Sequence, residues 1–134
     1  MEKFESTNRD LLNLYKGLET VKSIQGARFA VLVGKNMKEL RNVLDPIEAA
    51  AVPSMEFQEL SVKMQQLIEK EDQEGIQALE AESAELIDQR KKQLSDVEDL
   101  LDNKIEVFLH PIKEDQLPEE ITGEQVERLL QIIE

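Results

Sequence analysis

The stretch Phe29-Ala30-Val31-Leu32-Val33-Gly34-Lys35-Asn36 has the outline of an apolar strand running into a phosphate-binding loop. In such a loop backbone N–H groups cradle phosphate and the lysine reaches the outer phosphates. The motif also needs a glycine five residues before the Gly-Lys pair and Ser or Thr after it. This chain has Phe29 and Asn36 there, so Gly34 is read instead as a point of close helix packing. His110 is the single histidine, and base or metal-ligand chemistry would need a carboxylate beside it. Glu106 lies four residues back on a candidate strand, on the same face but about 13 Å away. His110 therefore reads as an ordinary strand-end residue. Glu80, Glu82, Glu85 and Asp88 crowd one helical stretch, and Glu85 and Asp88 share a face. No Glu-x-x-His pair accompanies them to build a di-metal site, and no calcium loop of alternating Asp/Asn about a central Gly is present. Cysteine is absent, which removes disulfides, thiolate metal sites and cysteine nucleophiles, and fits a reducing compartment. No cofactor or metal is expected. The chain reads as non-enzymatic.

What stands out instead is charge. Residues 1–44 hold eight Lys/Arg against five Asp/Glu, and residues 45–134 hold eight against twenty-four, for a net charge of −13. Direct nucleic-acid binding through phosphates is not expected of so acidic a chain. The split has two readings. In one, Arg28, Lys35, Lys38 and Arg41 pair internally with acidic residues of a long helix, each exposed pair adding about 0.2–1 kcal/mol and together fixing register. In the other, Glu80, Glu85, Asp88, Asp96 and Asp99 form an outward array. Helical neighbours at i+3 and i+4 lie roughly 5–6 Å apart, near the spacing of phosphates along a strand, so such an array could occupy a basic nucleic-acid-binding cleft. Internal pairing is favoured, since most charge runs are solvated faces.

The elements that position these residues follow from periodicity. Thr7 can cap a helix over 7–24, with Asp10 three residues on and Leu11, Leu14, Tyr15, Leu18 and Val21 as its apolar stripe. Gly26 breaks it. A second helix over 27–51 carries a coiled-coil-like seam of Ala30, Val33, Met37, Leu40, Leu44 and Ile47, with Pro46 inside it as a kink, an end or a new first turn. Val52-Pro53-Ser54 is the next break. A third helix over 55–70 runs out in the acidic stretch Glu69 to Gly75, the expected exposed turn. A long helix over 76–103 carries a narrow apolar stripe, suited to packing on one side only and expected to lie antiparallel to helix two or three. Residues 104–110 then alternate, with Ile105, Val107 and Leu109 on one face: a strand. One strand is not stable alone. Its edge must be met by the segment around Phe4, by a second copy in a homo-oligomer, or by another protein. Finally Thr122 caps a helix over 122–133, with Gln125 at the capping-box position.

Composition agrees with this reading. Of the 134 residues only 4% are aromatic, Trp is absent, and Pro and Gly number four and five. A sandwich or barrel is thereby disfavoured, and a core of Leu, Ile, Val and Ala is what helical bundles use. The expectation is one mainly α domain over 1–134: an antiparallel helical hairpin or bundle with one short β-strand and a short C-terminal helix. No apolar run approaches the roughly 20 residues that span a bilayer, and no apolar segment follows Met1–Glu5 to make a signal peptide. A soluble, intracellular protein with no membrane association is expected.

The order of elements also resembles a family of small, uncharacterised tailed-phage proteins, a domain of unknown function. Four stretches carry the likeness over nearly the whole chain. They are the helix Leu11–Leu18, the segment Gly34-Lys35-Asn36-Met37-Lys38-Glu39-Leu40, the strand Ile105-Glu106-Val107-Phe108-Leu109-His110-Pro111-Ile112, and the terminal Leu130-Gln131-Ile132-Ile133-Glu134. The resemblance implies a phage origin, with the host cytoplasm or the virion as location, and supplies no catalytic residues. It also implies a short strand before the first helix, for which Met1–Ser6 is a poor candidate. The expected function is that of a viral interaction protein, structural or assembly-related, acting through helical packing and strand pairing. Ile105, Val107 and Leu109 are its expected strand interface, and Arg28, Lys35 and Arg41 its polar contact surface. The alternative is an acidic nucleic-acid mimic that inhibits a host defence protein through Glu80, Glu85, Asp88, Asp96 and Asp99.

Overall fold

Thr7 closes a strand and opens a helix. In the computed structural model, which describes Met1–Glu134, strand β1 (Glu2–Thr7) runs directly into helix α1 (Asn8–Val21). The Thr7 hydroxyl accepts the Asp10 N–H at 3.1 Å, satisfying one of the helix's free donors. Then come α2 (Ala27–Ala51), α3 (Met55–Glu69), α4 (Gln73–Glu82), α5 (Ala84–Asp102), β2 (Lys104–Leu109) and α6 (Gly123–Leu129), with single 3₁₀ turns at Glu114–Gln116 and Leu130–Ile132. The chain is mainly α with one two-stranded antiparallel sheet. No helix is long and apolar enough to cross a membrane.

Where one domain was expected, the backbone divides into two compact units, Met1–Ile47 with Leu100–Glu134, and Glu48–Asp99. The first unit holds the hydrophobic core. Leu11, Leu14, Leu18 and Val21 of α1 meet Phe29, Val33, Met37, Leu40 and Leu44 of α2, Val107 and Leu109 of β2, and Ile112, Leu129 and Ile132. Each fully buried aliphatic side chain stabilises by about 1.5–3 kcal/mol relative to exposure. On α2 the seam is displaced by one residue at its start: Phe29 is buried and Ala30 is exposed. Pro46 neither ends nor restarts α2, which continues to Ala51.

The strand at 104–109 needs no second copy. β1 pairs with it antiparallel, from Glu2 opposite Leu109 to Thr7 opposite Lys104, and the bond from Asn8 N–H to Asn103 O (3.1 Å) extends the ladder. The requirement that pointed to a homo-oligomer is met inside the chain. A parallel bridge joins Ile112 to Ile133 and ties the C-terminal segment to the same unit. Thr122 and Gln125 form the expected capping box on α6.

Two glycines give opposite expectations. A Cβ on Gly17 would lie 2.9 Å from the Arg128 Cβ, so α6 approaches α1 because that position is bare. Gly34, expected to serve close packing, has nothing within 4 Å of its Cβ position and sits in a helix interior. Gly17→Ala should lose about 1–3 kcal/mol to overpacking, whereas Gly34→Ala should gain about 0.5–1 kcal/mol by reducing backbone entropy. Paired urea melts test this, and equal signs would refute it.

The second unit is thinner. α3 and α4 are joined by a tight turn in which Glu71 adopts φ 57°, and the Asp72 side chain caps α4 by accepting the Gly75 N–H at 2.9 Å. The helix expected over 76–103 is broken at Ser83, which separates α4 from α5. Antiparallel packing is fixed at both ends. Leu67, late in α3, neighbours Gly75, while Arg90 lies 5.7 Å from the ring centre of Phe57, early in α3. Arg90 also donates to Ala51 O and Gln93 to Ala50 O and Val52 O, each at 2.8 Å or less. These bonds use carbonyls that the end of α2 leaves free. Only Leu60 and Val97 are buried apolar residues of this unit.

Candidate functional site

The strand residues expected to meet a partner are turned inward. Val107 is 5% exposed and Leu109 not at all, with Ile105 packed against the same core, because the apolar residues of α1 and α2 cluster on that face. This corrects the reading of Ile105, Val107 and Leu109 as an interface. The outer face carries Lys3, Glu106 and Phe108. Lys3 forms an ion pair with Glu106 at 2.9 Å, which offsets the direct opposition of Glu5 and Glu106 across the strands.

Arg28, Lys35 and Arg41 are exposed on α2. Arg28 and Lys35 lie two turns apart on one face, while Arg41 is rotated from Lys35 by about a third of a turn. The Arg41 guanidinium donates to the Tyr15 hydroxyl at 3.4 Å. Ion pairs join Lys3 to Glu106 and Arg9 to Asp102.

Residues 29–36 are helical throughout, which excludes a phosphate loop there. The informative residue of that stretch is Asn36, fully buried. Its side-chain amide donates to His110 O at 2.9 Å and its carbonyl accepts His110 N–H at 2.7 Å. Asn36 thereby satisfies both main-chain groups of the residue just past β2. The signal was present in the sequence: position 36 falls on the same 3.6-residue stripe as Phe29, Val33 and Leu40.

The His110 ring is held below its ordinary pKa of 6.5, first by burial and then by the nearby positive charges of Lys35 and the Met1 amino group, with Glu39 opposing. A depressed folded-state pKa means the fold disfavours protonation. The contribution is therefore complete above pH 6.5 and fades as pH falls through the lower folded value. An NMR titration should show a His110 midpoint under 6.5 that rises toward it in Lys35→Ala. Glu2, at the same end of the ladder, is held above its usual value chiefly by a hydrogen bond with Glu134.

The acidic residues Glu80, Glu85, Asp88, Asp96 and Asp99 are all exposed. Glu85, Asp88, Asp96 and Asp99 share one face of α5, but Lys92 stands on that face too, four residues from both Asp88 and Asp96. An i, i+4 lysine between two carboxylates neutralises the centre of the row. No group of three or more His, Asp or Glu is placed to hold a metal ion.

What sequence reasoning missed is a groove in the Glu48–Asp99 unit, with a volume of about 660 Å³. One wall is α3, from Phe57 through Leu60 and Met64 to Ile68; the other runs from Glu80 through Ala84 and Ile87 to Lys91. The floor is aliphatic and aromatic, the rim is charged, and Phe57 is braced by Arg90. Ile68 at the end of this wall is 50% exposed; Met55 and Val62, outside the groove on α3, are 69% and 59% exposed. Apolar residues on α3 were legible, but which of them lack a covering partner is a property of the packed unit. No protein-family model, curated protein or solved structure matches the chain.

Proposed function

We propose that this chain is a non-enzymatic interaction protein of a tailed phage, acting in the particle or in its assembly, and that its working surface is the α3 groove. The groove supports this reading: it is an open, largely apolar cleft in a unit with almost no core of its own, where exposure costs stability unless something binds there. The phage assignment rests on the four stretches that resemble the phage family. A mimic of nucleic acid through the α5 carboxylates is the weaker reading, because Lys92 interrupts the row. In that case affinity for the target would collapse with salt, whereas docking on an apolar floor tolerates it better.

The test is quantitative mass spectrometry of particles from a phage encoding this chain, together with infections by Ala84→Phe, which fills the groove from an exposed position. A fixed copy number in wild-type particles, or defective assembly with Ala84→Phe while the variant remains folded, supports the reading. Absence from particles combined with normal assembly by the variant would overturn it.

A further inference from the structure

We infer that the groove of the Glu48–Asp99 unit receives a basic amphipathic helix of a partner protein. The inference rests on the reading of the groove as an interaction surface and names its occupant. Three observations converge on it.

The first is length. Phe57 to Ile68 on the α3 wall spans eleven residues, about 16 Å of continuous helix rise, and the facing wall runs from Glu80 of α4 across the Ser83 break to Lys91 of α5. The α3 wall thus offers three turns, the reach of anchors spaced i, i+3 or i+4, and i+7.

The second is main-chain chemistry. Both walls are helical, α3 on one side and α4 with α5 on the other, and most of their carbonyls and N–H groups are paired along the helix axes. They offer no open sheet edge, so an extended peptide would leave its N–H and C=O groups unpaired over an apolar floor. A helix satisfies its own backbone and presents only side chains.

The third is charge. The unit carries fourteen Asp/Glu against five Lys/Arg, and Glu80 and Asp88 stand on the groove's rim with Lys91 as the one lysine lining it. Arg90 is already engaged with Gln93 and Ala51. Such a surface attracts and orients a cationic helix and repels an anionic one. It also disfavours a second copy of this chain, whose net charge is −13. The one helix here with a basic outer face, α2, already buries its apolar residues Phe29, Val33, Met37, Leu40 and Leu44 in its own unit.

The probes are amidated 15-residue peptides added to the full chain, read by amide chemical-shift changes and fluorescence anisotropy. One has Leu at helical i, i+3, i+7 and i+10 positions with Lys on both flanks. A second carries Glu in place of every Lys, and a third carries Ser in place of every Leu. The Lys/Leu peptide should shift amides of 57–68 and 80–91 and bind at least about tenfold tighter than either control. Ala84→Phe should abolish that binding, and Glu80→Lys with Asp88→Lys should erase the preference over the Glu peptide, both with unchanged circular dichroism. Equal binding of the Glu/Leu peptide in the groove would overturn the basic helix while leaving an apolar docking surface. Equal binding of the Lys/Ser peptide would show a charge effect alone and overturn the proposal. Silence of the groove toward all three peptides would sink the groove reading itself. Groove amides that shift with the chain's own concentration, alongside a doubled mass in sedimentation, would assign the groove to a second copy and overturn the partner helix.

Discussion

Asn36→Ala should destabilise the first unit by about 3–5 kcal/mol, far more than an ordinary polar-to-alanine change in a helix. Two hydrogen bonds disappear together, to His110 O at 2.9 Å and from His110 N–H at 2.7 Å, and both main-chain groups are left facing a cavity. Each such orphan costs about 1–3 kcal/mol. Asn36→Asp separates this from simple packing loss. The carboxylate still accepts the His110 N–H, but its second oxygen now opposes the His110 carbonyl in a fully buried position. Burial and that opposition raise the introduced carboxyl's pKa in the fold. A raised folded-state pKa contributes stability that is present below the unfolded value and lost as pH rises through the folded one. Asn36→Asp should therefore be closest to wild type in acid and worst at neutral pH, while Asn36→Ala shows no such relative trend. Urea denaturation of both variants at several pH values makes the comparison. A cost under about 1 kcal/mol for Asn36→Ala would mean the latch carries no weight.

Adjacent residues of β2 should then behave in opposite ways. Leu109 is fully buried, and Leu109→Ala should cost about 2–5 kcal/mol through lost burial and a residual cavity. Phe108, the larger side chain one position earlier, is 52% exposed on the outer face opposite Lys3. Phe108→Ala should stay within about 0.5 kcal/mol of wild type. Denaturation midpoints suffice to rank the two. Similar losses would mean that the outer face is covered in solution, which would return β2 to consideration as an interface.

That contrast also shows what the sequence could and could not disclose. Alternation over 104–110 assigned the two faces of the strand correctly, because the side-chain period of a strand is two and leaves little ambiguity. It could not say whether the apolar face meets this chain's own core or another protein. The answer depended on β1, whose inward positions are Glu2, Phe4 and Ser6, a single apolar residue in three. Pairing with β2 overrides so weak a local signal. The helix starts at Thr7 and Thr122 were legible because capping is local chemistry, a hydroxyl within three residues of a free N–H. The break at Ser83 was not, since Ser in a polar helix face carries no distinctive cue. Likewise Met64 and Ile87 recur at helical spacing with other apolar residues, and only the assembled helices reveal a cleft between them.

The sheet carries one more consequence, concerning the order in which the molecule is made. Asn8 donates to Leu100 O across a separation of 92 residues, and β1 finds its strand only just beyond that point. At a synthesis rate of about 5–20 residues per second, the N-terminal strand and the apolar face of α1 wait roughly 5–20 s for their counterpart to be translated. The 48–99 segment packs through neighbouring helices and needs no such distant counterpart. Chains truncated before residue 100 should thus leave Leu11, Leu14 and Leu18 open to capture by chaperones.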